Sequence, residues 1–170
     1  GSIFDDYIIG ARAGLRFSGP RTTYSIAPVF SVRFLGGEHY EDQLGLELAF
    51  ESRTALGFSV FGFGSYARLD NRLDENLDGS LARAQLGVRR SLAARASVGL
   101  SAYYEDKRVD FDLDNYRLAG ARVFGSVDVP FGLTLRPAVF AERKRFRNPS
   151  PLFTASPDER SYGASLKIEK

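Results

Sequence analysis

Cysteine and tryptophan are absent from this 170-residue chain, and histidine occurs once. Without thiols there are no disulfides, thiolate metal ligands or cysteine nucleophiles. A single histidine and no metal constellation give an enzyme little to work with, so none is expected. Long apolar runs are missing too: nothing approaches the eighteen or so residues of a membrane helix. No charged, then apolar, then small-residue leader opens the chain, so a leader is expected to have been removed or cut away upstream. Gly1 and Ser2 read as a cloning remnant. An excess of one charge is also lacking. Lys and Arg number 23 against 21 Asp and Glu, a net +2, which argues against nucleic acid as a partner even at a pI near 9.0.

What the chain does have is alternation. In "TTYSIAPVFSVRFL", residues 22–35, Tyr24, Ile26, Pro28, Phe30, Val32 and Phe34 fall on one face and mostly small or charged residues on the other. A period of two is that of a strand. Nine such segments follow one another, over 7–18, 22–35, 43–52, 56–68, 81–91, 94–107, 116–129, 133–146 and 161–170. Most exceed the five or six residues usual in globular strands and match the nine to eleven that cross a bilayer at a tilt. Hydrophobic residues make up 44% and mean hydropathy is -0.21. Such values suit a membrane barrel as well as a soluble sheet, because a barrel shows lipid only every second residue.

The connections alternate in length. "GPR", "RTA", "LAA" and "PFG" are short, whereas "GGEHYED", "DNRLDENLDG", "RVDFDLDN" and "RNPSPLFTASPDER" are long and polar. Outer-membrane barrels show this asymmetry, with tight periplasmic turns and longer extracellular loops. The expected fold is all-β: an antiparallel up-and-down transmembrane β-barrel, or barrel fragment, of about nine strands forming a single domain over residues 1–170. Tyr and Phe near strand ends fit interfacial girdles, although tryptophan contributes nothing to them. Nine strands and a final Lys170 in place of an aromatic residue point to a piece of a larger barrel, since bacterial barrels hold an even strand number.

Outward, toward lipid, the pattern places Leu44, Leu46, Leu48 and Phe50, and likewise Val98, Leu100, Val139 and their neighbours. Inward it places Arg12, Arg16, Arg33, Glu47, Glu51, Arg83, Arg89, Arg95, Arg136 and Glu142. Two segments resist sorting. In "LGFSVFGFGSYA" the apolar set changes phase near Val60 and Phe61, which predicts a bulge or large aromatics inside. In "YRLAGARVFGSVDV", lipid at mid-depth would cost an arginine roughly 2 to 4 kcal/mol. Arg122 is therefore turned inward, and Phe124 with it. The inward charges either brace the wall by pairing across strands or select solutes.

Other candidates are weaker. His39 lies in the expected loop "GGEHYED" near Glu38, Glu41 and Asp42, but no spacing there fixes a triad. Asp74, Asn76 and Asp78 in "DENLDG" reproduce the opening of a calcium loop, yet Gln85 stands where its bidentate Glu belongs. Weak Ca2+ binding in an extracellular loop is the most those residues offer, and no cofactor is expected beyond it. Asp110, Asp112 and Asp114 echo the pattern, with Phe111 and Leu113 alternating as in a hairpin above the membrane.

From residue 133 onward the text "LTLRPAVFAERKRFRNPSPLFTASPDERSYGASLKIEK" resembles the later barrel strands of the surface lipoprotein assembly modifiers, Gram-negative outer-membrane proteins. A strand ending in basic and aromatic residues (143–147), a Pro-containing loop motif (148–152) and an Asp-and-Arg-rich strand start (158–160) carry the resemblance, with Glu159 separating Asp158 from Arg160. The resemblance implies a fourteen-stranded barrel behind a periplasmic helical-repeat domain, of which this chain would be an internal segment. It also implies movement of lipoproteins to the cell surface, with outer-membrane lipid and lipoproteins as partners. A small-solute porin with a charged lumen is the alternative. A soluble β-sandwich or lipocalin-like binding protein stands behind both.

Overall fold

The computed structural model describes residues 6–54, 56–110, 114–148 and 157–169. Ten strands run in chain order as β1 (Asp6–Arg12), β2 (Leu15–Ser18), β3 (Thr22–Leu35), β4 (Glu38–Arg53), β5 (Phe58–Asn71), β6 (Gly79–Ala93), β7 (Ala96–Val109), β8 (Tyr116–Val129), β9 (Leu133–Phe146) and β10 (Asp158–Glu169). They form one antiparallel up-and-down sheet in which each strand pairs with the next in sequence, β1 and β2 sharing β3 as their partner. The sheet is not closed, as a barrel fragment would be, and β1 and β10 are its edges.

Ten strands arise where nine were expected because the first segment is interrupted. Arg12 is paired with Val29 and Leu15 with Ile26, leaving Ala13 and Gly14 opposite Pro28 and Ala27 without ladder contacts. Proline has no N–H to donate, so the ladder lapses where it faces the neighbouring strand. Pro137 in β9 has the same effect. Pairing between β8 and β9 lapses between Phe124 and Val127, opposite that proline.

One connection is shorter than the sequence suggested. Residues 38–42 belong to β4, and only Gly36 and Gly37 form the turn. Both have positive φ, 63° and 88°. A two-residue hairpin turn with positive φ at both positions matches the twist of its strands, and glycine takes it without strain. His39 therefore sits in a strand, and a register shift beside Phe34 accommodates it. The connections at 72–78 and 110–115 are long, as expected. Phe111, Asp112 and Leu113, like Gly1, Ser2 and residues 149–152, lie outside the described residues.

The sheet curls strongly. Neighbouring strands lie about 4.8 Å apart, so three spacings span about 14 Å on a flat sheet. Yet the rings of Phe61 on β5 and Phe124 on β8 meet edge to face with centroids 6.0 Å apart. Arg89 on β6 reaches Glu51 on β4 at 2.6 Å, across β5. The ring contact in particular needs a concave face. The buried apolar side chains among the described residues are just Ala27, Leu69, Leu81, Val109 and Ala138. Leu69, Leu81 and Val109 form a small cluster at the loop end of the concave face. There the Asn115 amide closes its loop, accepting from the Val109 N–H at 2.6 Å and donating to the Val109 carbonyl.

Among the described residues no second sheet covers the convex face. Phe30, Leu46 and Leu100, which a sandwich would lock into a dry centre, are 45, 43 and 51% exposed.

Candidate functional site: the concave face

Strand parity decides which side chains meet. In β4, Glu47 and Glu51 share a face with Ser65 and Phe61 of β5, which share theirs with Arg83 and Gly87 of β6. Continuing across the ladder, that face takes Ser101 and Glu105 of β7, Arg122 and Gly120 of β8, and Phe140 and Glu142 of β9. Because the face is concave, these residues enclose space. One cavity of about 710 Å3 is lined by Arg12, Arg16, Glu51, Arg89, Arg122 and Arg136, with Phe61, Phe63 and Phe124 between them. A second of about 580 Å3, toward the loop end, is bordered by Arg83, Tyr103, Glu105, Phe140 and Glu142, and shares Phe63, Gln85 and Arg122 with the first.

Charges on this wall are mostly matched. Arg12 meets Glu47 at 3.1 Å, Arg89 meets Glu51 at 2.6 Å, and Arg83 donates from Nε to Glu105 at 2.6 Å. Glu105 also accepts from the Tyr116 hydroxyl at 2.6 Å, and Glu142 from the Tyr103 hydroxyl at 2.8 Å. Arg136 pairs with Glu169 on β10 at 2.9 Å. Arg16 and Arg122 have no carboxylate partner among the described residues, so the cavity carries a positive excess.

Eight of the eleven residues expected inward therefore border the two cavities, and Glu47 stands beside them through Arg12. Two lie elsewhere. Arg33 is at the loop end of the edge, held by Asp6 through two hydrogen bonds of 3.0 and 2.7 Å and lying 5.4 Å over the Tyr40 ring. Arg95 is in the tight turn between β6 and β7, where its carbonyl accepts from the Asp128 N–H.

The phase change in β5 has its explanation here. Pairing on both sides of β5 runs without a bulge, and Phe61 and Phe63 point inward. Four of the inward rings lie over a glycine directly opposite on a neighbouring strand: Phe61 over Gly87, Phe124 over Gly99, Tyr103 over Gly120 and Phe140 over Gly163. A Cβ at any of these glycines would collide with the ring. Tyr103 and Phe140 were not singled out from sequence. The signal available was an aromatic residue at inward parity with a glycine directly opposite.

The calcium-like residues do not converge. Asp74 caps a short 3-10 turn, accepting from the N–H of Asn76 at 3.0 Å and from its side-chain amide at 2.8 Å. Asp78 accepts from the Asn71 N–H at 2.6 Å. No group of three or more His, Cys, Asp or Glu suited to a metal occurs among the described residues. Nearby, Arg72 bonds Asp42 at 2.6 Å, and that contact, with Asp70 adding to it, holds the guanidinium above its usual pKa. Asp42 also meets His39 at 2.7 Å, away from both cavities.

A continuous curled sheet with a charged, ring-studded interior and an apolar exterior is what the alternation of the strands implied. The sequence model of the surface lipoprotein assembly modifiers matches residues 2–169. The chain belongs to that family. Among curated proteins and among solved structures, nothing matches it. As a surface lipoprotein assembly modifier, the chain carries its family signature across both cavities and both edges of the sheet. The match is thus a property of the whole wall.

Proposed function

We propose that this chain forms wall of an outer-membrane barrel that delivers lipoproteins to the cell surface, its convex face against lipid and its concave face toward the passage. The carrying observation is the outward band of exposed apolar side chains on a member of this family. On β8 that band runs over residues 119–129, about 33 Å of strand, or about 24 Å of depth at a tilt near 45°. An apolar band of about 25 Å is what a barrel presents to hydrocarbon. The lipoprotein cargo rests on the family's name, and the lining suits it by offering rings and paired charges in place of a dry core.

Cells lacking the protein should retain lipoproteins that intact cells display, measured by protease shaving of whole cells. Unchanged display would reject the proposal. A porin-like passage of small solutes is the second reading, favoured by Arg16 and Arg122. Planar-bilayer conductance with anion preference would support it.

A further inference from the structure

Six arginines gather at the loop end of the convex face, on the side that should meet lipid. On β7 to β10 a cross-strand row runs Asp106, Arg117, Arg145, Asp158, and the row beneath it runs Tyr104, Ala119, Arg143, Arg160. Arg117 is directly opposite Arg145, and Arg143 directly opposite Arg160. Like charges set directly across a ladder are destabilising. Arg108 and Arg147 add to the group through Asp106, at 2.9 and 2.5 Å.

Among the described residues two carboxylates, Asp106 and Asp158, pair with five of these guanidiniums, and unevenly. Asp158 is engaged by Arg143 through both oxygens, which leaves Arg145 at 3.7 Å. Asp106 is taken by Arg147 and Arg108, which leaves Arg117 at 3.9 Å. Arg117 and Arg145 are 55 and 59% exposed. Arg160 is exposed beside them. Below lie Ala102, Ala119, Ala121 and Ala141, small side chains between Tyr104 and Tyr162, and below those the Leu100, Val123 and Val139 row.

We propose that this surface binds the phosphorylated headgroup of a lipid in the adjacent leaflet, with Arg117, Arg145 and Arg160 on the phosphates and the alanine track beneath them taking an acyl chain. The inference rests on the membrane reading above. Guanidinium forks match phosphate oxygens in pairs, and the repulsion built into the two Arg–Arg contacts is relieved when an anion lies between them. Headgroup depth fits as well: from the Val123 row to the Arg117 row is six residues, about 20 Å of strand and about 14 Å of depth. The charge is local to this sector, since on β4 and β5 the same rim carries Asp42 and Asp70 beside Arg72.

The test uses the protein in vesicles made with a bisphosphorylated glycolipid, with its enzymatically dephosphorylated form, or with neither. The expected result is a rise in unfolding temperature with the phosphorylated lipid alone, and a loss of affinity of about tenfold or more in Arg117→Gln/Arg145→Gln. That double variant relieves like-charge repulsion, so folding is retained. Arg68→Gln, on the same face but on β5, should behave as the parent does. Equal stabilisation by the dephosphorylated lipid overturns the proposal, and so does an unaffected double variant. Inorganic phosphate reproducing the shift overturns the lipid assignment. Failure to insert into any vesicle overturns this inference and the membrane reading together, whereas insertion without phosphate dependence overturns this inference alone.

Discussion

On the convex face Leu44, Leu46 and Leu48 stand 66, 43 and 51% exposed in succession. On the concave face the residues between and beyond them, Gly45, Glu47 and Glu51, meet a neighbouring backbone or an arginine from another strand. One strand thus holds two opposite solutions a single residue apart. The convex face leaves apolar area bare, which is stable only against something equally apolar, because each square ångström kept from water is worth about 25 cal/mol. On the concave face most charges meet a partner, whereas Arg16, Arg53 and Arg122 have no carboxylate partner among the described residues. What the difference teaches is that this sheet does not stabilise itself by a core. It relies on its backbone ladder, on ion pairs across the hollow, and on whatever meets its outer surface.

The comparison breaks most sharply if a charge is placed on the wrong side. Leu100→Arg, at mid-band on the convex face, should cost roughly 2 to 4 kcal/mol and lower the folded fraction in vesicles, read by heat-modifiable gel mobility. Gln85→Arg, on the concave face, should fold as the parent does. Similar behaviour of the two variants would remove the distinction between the faces.

Glycine substitutions sharpen it at a smaller scale. Gly87→Ala drives a methyl group into the Phe61 ring inside the hollow, where Phe124 blocks retreat, and should cost about 1 to 3 kcal/mol in thermal unfolding. Gly62→Ala meets Phe50 on the outer face, where the ring swings away, and should cost less. Adding Phe61→Leu to Gly87→Ala should recover part of the loss, measured in the same melt.

The ion pairs give the smallest effect on stability and a clearer one on transport. Glu51→Gln frees Arg89 at a partly exposed site, so a change of no more than about 1 kcal/mol is expected. Reversal potentials in planar bilayers should then shift toward anion preference. Arg122→Gln should shift them the other way. Equal reversal potentials in both variants would detach these side chains from any passage.

Much of this was legible in the sequence because the signal is simple. Parity assigns a face to every residue of a strand once one arginine is placed, which is how Arg122 and Phe124, both lining the first cavity, are turned inward from sequence and how the Phe61 phase shift points to rings inside the hollow. Three features were not legible. Pro28 interrupts pairing only because its missing N–H points toward β1 and β2, and no local pattern says which neighbour a strand residue faces. "GGEHYED" looks like a loop by its charge, yet two glycines at positive φ suffice to turn the chain, and the strand resumes at Glu38. The gathering of Arg108, Arg117, Arg143, Arg145, Arg147 and Arg160 needs the register of four strands, which alternation leaves free to shift by two.

That freedom gives the rings over glycine a further consequence. A strand that slid by two residues would leave every side chain on the face it already occupies, so hydrophobicity alone could not reject the mistake. It would also carry Phe61 from Gly87 onto Gln85 or Arg89, and Phe140 from Gly163 onto Ser161 or Ser165. Each ring seated in its hollow therefore acts as a proofreading tooth during assembly, distinguishing correct alignment from its nearest well-sorted impostor.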